Sequence, residues 1–141
     1  MTHNGSYWFD SLEAPYAQAA PTPLPAAVDV AIIGGGYTGL WTAHYLNDLN
    51  PSLKIAVLEA ETFGFGASGR NGGWCMGTAH GVEGLLSRPE SRGAGLTLAR
   101  AMQATVDEIG QVTQSLGIDC HFKKGGNLTV ATQAFQVPQL Q

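Results

Sequence analysis

The sequence predicts an α/β fold built on a parallel β-α-β unit. Three observations carry that prediction. Residues 28–33, VDVAII, form a short apolar run rich in β-branched residues, the pattern of a buried strand. A cluster of glycines follows and opens into a stretch whose apolar residues recur at helical spacing. A second buried run, KIAVL at 54–58, closes the unit. The crossover joining two such strands is expected to be right-handed.

Size and composition bound what the unit can belong to. The chain has 141 residues, 44% of them hydrophobic, which suits one ordinary domain. Seven Lys and Arg stand against eleven Asp and Glu, and no basic cluster is present to neutralise a phosphate backbone, so nucleic acid is excluded as a partner. Cys75 and Cys120 lie far apart with no second ligand at metal spacing, which suggests neither a metal site nor a disulfide framework and fits a reducing cytoplasm. The first residues lack the positive start and apolar stretch of a secretory signal. No segment approaches the ~20 apolar residues of a membrane helix, so no membrane is expected.

Residues 1–27 read as an extended, proline-rich arm, with APTPLPAA leading into the domain. Tyr7, Trp8 and Phe9 on that arm read as a hydrophobic clasp that docks on the body of the protein, not as a ligand site. After the glycines, Leu40, Trp41, Ala43, Tyr45, Leu46 and Leu49 lie mostly on one helical face, and Asn50-Pro51 stops the helix. Beyond the second strand, residues 62–81 are too rich in glycine to form a core element. Helical periodicity returns over 95–116 through Leu98, Met102, Val106, Ile109, Val112 and Leu116, with Gly117 as the C-cap. IDCHFKK and NLTVATQ, separated by Gly125-Gly126, have the pattern of a hairpin. No closing element and no internal repeat is evident after that.

The glycine cluster has chemistry. Gly34, Gly36 and Gly39 satisfy Gly-x-Gly-x-x-Gly between a strand and a helix. In a Rossmann-type fold the first permits the tight turn, the second lets a pyrophosphate approach the backbone, and the third lets helix and strand pack closely. The helix N-terminus then directs its free N–H groups and positive dipole end at the phosphates. Glu59, at the end of the second strand, would accept hydrogen bonds from ribose hydroxyls and repel a 2′-phosphate, which favours FAD or NAD over NADP. The plainer alternative is a structural strand-to-helix turn with an exposed glutamate.

The following segment separates those ligands. ETFGFGASGRNGGWC, residues 61–75, resembles the stretch Gly-x-Gly-Ala-Ser-Gly-Arg-Asn-Gly-Gly of FAD-dependent oxidoreductases of the D-amino-acid-oxidase superfamily. SYWFDSL, GGGYTGL and VLEA are likewise similar to the branch containing gamma-glutamylputrescine oxidase and related amine oxidases. The resemblance implies that Tyr37 and Thr38 lie near the FAD pyrophosphate and that Glu59 and Ala60 meet the adenosine ribose. Ala67 and Ser68 match the turn that returns along the pyrophosphate. Arg70, Asn71, Gly72, Gly73 and Trp74 match the run passing the ribityl chain and isoalloxazine ring, where glycines leave backbone donors accessible. Two alternatives stay open: Arg70 as a structural cation tied to a carboxylate, and Ser68 as the cap of a short turn. Cys75 reads as packing, not as a flavin link or redox thiol. His3, His44, His80 and His121 have no recognisable partners, and only His80 lies in the flavin loop.

The resemblance also implies a function and a domain plan. It implies an arm at 1–27, an incomplete FAD-binding unit with its flavin loop at 28–94, and at 95–141 a helix and hairpin that begin an α+β substrate domain. The third parallel strand and the loop closing over the flavin are expected later in such proteins. A chain of this extent is therefore expected to be poorly stable, to bind FAD weakly and to be inactive alone. The whole protein is expected to oxidise a small-molecule amine or amino acid by hydride transfer from the carbon bearing nitrogen to flavin N5. No residue of this chain is assigned as a catalytic acid or base, no metal is implied, and oligomeric state is left open. A non-catalytic nucleotide-binding remnant and an NAD-linked dehydrogenase domain are the alternatives.

Overall fold

The computed structural model describes residues 5–12 and 23–139. His3 and the arm residues 1–4 and 13–22 lie outside the described residues. The chain divides into two units, Met1–Trp74 and Cys75–Gln141, taken in turn below.

In the first unit a short helix α1 (Tyr7–Asp10) precedes strand β1 (Val30–Ile33), helix α2 (Tyr37–Leu49) and strand β2 (Ile55–Leu58). The strands pair in parallel, from Val30 opposite Ile55 to Ile33 opposite Leu58, which is the β-α-β unit expected. Hydrogen bonds extend the ladder at both ends: Asp29 N–H donates to the Lys54 carbonyl at 2.9 Å and Gly34 N–H to that of Leu58 at 2.7 Å. The Asp29 carboxylate accepts the Lys54 N–H at 2.8 Å, so a side chain fixes where pairing starts. Helix α2 stops where Pro51 forces its predecessor out of the helical region: Asn50 sits at φ −149°, ψ 89°, and its Oδ1 accepts from Ser52 N–H at 3.2 Å.

The aromatic arm docks as expected, on the glycine-rich loop. Ser6 is buried and its hydroxyl donates to the Gly69 carbonyl. The Trp8 indole N–H donates to the Asn71 carbonyl at 2.8 Å. The Phe9 ring lies against Gly64 and Gly69.

The second unit is built on helices α3 (Val82–Leu86) and α4 (Arg92–Ser115). Val82 and Val106 are its buried apolar residues. The helices meet at Gly95, where a Cβ would stand 3.0 Å from that of Leu85. The observed α4 starts three residues before the expected Gly95, directly after Ser91, whose hydroxyl donates to the Leu85 carbonyl at 2.8 Å. Its end follows expectation: Gly117 turns to φ +63°, Ile118 N–H reaches the Thr113 carbonyl at 2.8 Å and Gly117 N–H that of Gln114 at 3.2 Å. That pair of bonds is a Schellman cap.

One expectation is corrected. Residues 118–132 form no strand, so the hairpin expected to begin an α+β domain is absent, and the chain there is irregular between α4 and the next turn. A lone two-stranded hairpin is marginally stable without a face to cover, and here Leu128 and Val130 are 90% and 65% exposed. The first of the two runs is tied to α4 instead. Phe122 packs on Gly110, Lys124 pairs with Asp107, and His121 takes φ +54°, which breaks the extended path. A 3₁₀ turn, Ala134–Gln139, follows where no element was expected. Among the described residues no helix is long and apolar enough to cross a membrane.

Candidate functional site

Two glycine turns of the first unit meet at the C-terminal ends of β1 and β2. In the first, Gly34 takes φ +104°, which lets the chain leave β1 and enter α2. Gly39 is buried, and a Cβ there would fall 2.0 Å from the Gly34 carbonyl oxygen and 3.3 Å from Ile32 Cγ2, so the third glycine sets the approach of helix to strand. At Gly36 a Cβ would stand 2.9 Å from Ser68 Oγ. Gly36 offers α2 no side-chain cap.

The second turn has the same spacing. Gly64, Gly66 and Gly69 also satisfy Gly-x-Gly-x-x-Gly. Gly64 takes φ +77°, and a Cβ on Gly69 would fall 2.1 Å from the Gly64 carbonyl oxygen, as between Gly39 and Gly34. This copy leads only into a 3₁₀ turn, Ala67–Gly69. Gly35, and Gly64, Gly66 and Gly69 of the second turn, are thus site residues that the sequence expectations lacked. The signal for the last three was available as a second copy of the same spacing.

Hydrogen bonds join the two turns. Gly64 N–H donates to the Gly35 carbonyl at 3.0 Å, and Tyr37 N–H to Ser68 Oγ at 2.9 Å. Ser68 therefore acts as a cap, but of α2 across 31 positions of sequence and not of its own short turn. Asn71 binds three segments: its Nδ2 donates to Tyr37 Oη at 3.1 Å and to the Ser68 carbonyl at 2.8 Å, and its Oδ1 accepts Gly73 N–H at 2.8 Å.

Glu59, at the end of β2, faces the first turn. Its Oε2 accepts Gly35 N–H at 2.7 Å and its Oε1 accepts Glu61 N–H at 3.1 Å. The Gly35 bond above all, with those from Glu61 and Ala60, holds the carboxyl below its usual range against the opposing effect of burial. The group is thus an anion at neutral pH. With about four acceptor sites on its two oxygens, the carboxylate keeps acceptor capacity beyond these bonds.

The remaining expected residues flank this seam. Thr38 is exposed in the first turn of α2, and its carbonyl accepts from Thr42 Oγ1 at 2.7 Å. Ala60 and Ala67 are exposed beside Glu59 and Ser68. The Arg70 guanidinium lies 4.8 Å from the centre of the Phe65 ring, a cation–π contact and not the carboxylate tie considered as its alternative role. A Cβ on Gly72 would meet nothing within 4 Å, whereas one on Gly73, at φ +74°, would strike the Trp8 ring at 2.8 Å. Trp74 is 81% exposed at the end of the unit. Cys75 is exposed, which corrects its reading as packing.

These residues fit a dinucleotide. Backbone is open at Gly66 and Gly72, a helix N-terminus stands at the seam with Gly36 as its cap residue, and an ionised carboxylate stands beside it. No group of three or more metal-binding side chains occurs among the described residues.

Comparison with known proteins agrees. The family described as DAO, FAD dependent oxidoreductase, matches residues 29–141. The chain is 31% identical over its whole length to gamma-glutamylputrescine oxidoreductase of Escherichia coli (strain K12), covering 32% of that protein. It is 33% identical over 87% of its length to the probable oxidoreductase OrdL of Haemophilus influenzae, covering 28%. It is 32% identical over 89% of its length to human mitochondrial L-2-hydroxyglutarate dehydrogenase, covering 26%. The chain therefore spans about a third or less of these relatives. No solved structure matches it significantly.

Proposed function

The chain belongs to the DAO family of FAD-dependent oxidoreductases, and from that premise we propose that it is the Rossmann-type FAD-binding part of an enzyme that oxidises an amine or amino acid. The cofactor is FAD, which sets aside the NAD-linked reading. The observation that carries the proposal is the hydrogen-bonded seam between the two glycine turns, with Glu59 held ionised beside it.

In this reading the turn of Gly34, Gly36 and Gly39 receives the pyrophosphate at the start of α2, with Tyr37 and Thr38 beside it and the Tyr37 N–H held by Ser68 Oγ. Glu59, whose two carboxylate oxygens offer more acceptor sites than its backbone N–H partners fill, has capacity left for ribose hydroxyls, with Ala60 beside it. Ala67 and Ser68 line the return along the phosphates. Arg70, Asn71, Gly72, Gly73 and Trp74 hold the ribityl and ring end, where Asn71 fixes the backbone path. Bound FAD supplies a hydride acceptor at N5 for the carbon bearing nitrogen. The chain's own residues bind and orient the cofactor, and none is assigned a proton-transfer role.

The amine or amino-acid class follows the Escherichia coli relative, whose name specifies gamma-glutamylputrescine. A second reading has its own support, because the human relative is named for L-2-hydroxyglutarate. There the hydride leaves a carbon bearing a hydroxyl group.

Two measurements test the proposal. Titration with FAD is expected to give a yellow protein with an oxidised-flavin spectrum, and a protein that stays colourless at millimolar FAD refutes the reading. In the whole enzyme, under anaerobic conditions, amines or amino acids are expected to bleach the same spectrum. Bleaching by L-2-hydroxy acids alone transfers the assignment to the second reading.

A further inference from the structure

We infer that the N-terminal segment of Ser6, Trp8 and Phe9 is a positioning clasp for the cofactor loop, holding residues 64–73 in the shape that receives FAD; the inference rests on the cofactor reading above. The loop has little of its own to fix it. Glycine stands at 64, 66, 69, 72 and 73, and glycine loses more backbone freedom on ordering than any other residue. A loop that samples many shapes binds with an affinity reduced by the fraction of time it spends in the competent one.

The clasp touches that loop at four points, all remote in sequence. The Ser6 hydroxyl donates to the Gly69 carbonyl, and Ser6 is only 1% exposed. Trp8 donates its indole N–H to the Asn71 carbonyl at 2.8 Å. Its ring so covers Gly73 that a Cβ there would be 2.8 Å away. The Phe9 ring stands 3.3 Å from the Cβ position of Gly69 and 3.9 Å from that of Gly64. These contacts alternate with Ser68, Arg70 and Gly72. The Trp8 bond matters most for position, because it holds the backbone of Asn71, whose side chain joins the loop to Tyr37 and Ser68. Trp8, Ser6 and Phe9 thus act through the loop as positioning residues.

Two variants of the full chain test this. Trp8→Ala removes both ring and donor, and Trp8→Phe keeps a ring over Gly73 but loses the donor to Asn71. Backbone hydrogen exchange and FAD titration by flavin fluorescence are measured for each. Exchange at Gly69, Arg70 and Gly73 is expected to speed up in both, while exchange in Val30–Ile33 and Ile55–Leu58 stays unchanged. The FAD Kd is expected to rise about tenfold for Trp8→Ala and by less for Trp8→Phe. Unchanged loop exchange in both variants overturns the inference, as does faster exchange with an unchanged Kd. If Trp8→Ala does not fold, Trp8→Phe decides alone by the same two readings. Failure of the unaltered chain to take up any FAD overturns the cofactor reading and this inference with it. Equal uptake by the unaltered chain and the variants overturns the inference alone.

Discussion

Replacing Gly39 by alanine tests the geometry on which the first turn depends. The added Cβ would lie 2.0 Å from the Gly34 carbonyl oxygen, well inside the 3.0 Å that Cβ contacts essentially never fall below. The neighbour is backbone, and it belongs to a residue held at φ +104°, so no side chain can swing aside to make room. Relief requires α2 to lift from β1, which also separates Gly39 from Ile32. Overpacking of this kind costs up to about 3 kcal/mol, and the better helix propensity of alanine returns at most about 1 kcal/mol, leaving a net loss of about 2 kcal/mol. Gly66→Ala is the control in the same unit. Its Cβ would meet nothing within 4 Å and its φ is −76°, so the change is expected to be neutral or to stabilise by up to about 1 kcal/mol through the unfolded chain. Urea titration followed by far-UV circular dichroism measures both. A Gly39→Ala protein within about 0.5 kcal/mol of the parent, the range of an ordinary surface change, refutes the close-approach argument.

Three further changes probe the seam. Gly36→Val places a branched side chain against Ser68 Oγ where phosphate is proposed to approach, so flavin content after reconstitution should fall to near zero, and an unchanged content counts against the cradle. Ser68→Ala removes the acceptor of Tyr37 N–H and should destabilise α2 by about 0.5–2 kcal/mol, read as a lower urea midpoint. Glu59 titrates below its usual 4.5 in the folded chain, so its bonds to Gly35 and Glu61 stabilise fully above that pH and are lost as pH falls through the lower folded value. Glu59→Gln should flatten that acid limb of the stability profile and weaken FAD binding, and a parent-like acid limb would show that the carboxylate contributes nothing there.

The β-α-β unit was legible because its signals are local. Apolar β-branched runs, a helical face and Asn50-Pro51 each act within one element, and the strands and helix stand within two residues of their expected limits. The cap at Gly117 was legible for the same reason. The hairpin at 118–132 failed because β-propensity reports a fit to a half-buried surface, and Leu128 and Val130 have no such surface. Helix α3 escaped notice because five residues are too few to show a period. In the site, residue types and spacings were readable, whereas partners were not. Nothing in the order of residues says that Ser68 caps α2 or that Arg70 lies over Phe65, since both depend on how the loop folds back.

The two glycine turns gain their meaning from each other. Gly35 is buried, so its N–H and carbonyl both need partners, and they find them in Glu59 at the end of β2 and in Gly64 at the start of the second turn. The first turn of α2 has no cap from Gly36 and borrows one from Ser68. A strand-to-helix turn with only a structural purpose would be completed more simply by a local Ser or Asp at the N-cap. Here the cap position is left without a side chain, and the capping oxygen comes from a second glycine turn that is itself bare at Gly66. That arrangement keeps backbone exposed on both sides of the seam while still satisfying the buried groups beneath it. Such a surface suits a long, phosphate-bearing ligand that must approach main chain along its length, and the proposed cofactor site accordingly takes Gly36, Glu59 and Ser68 together.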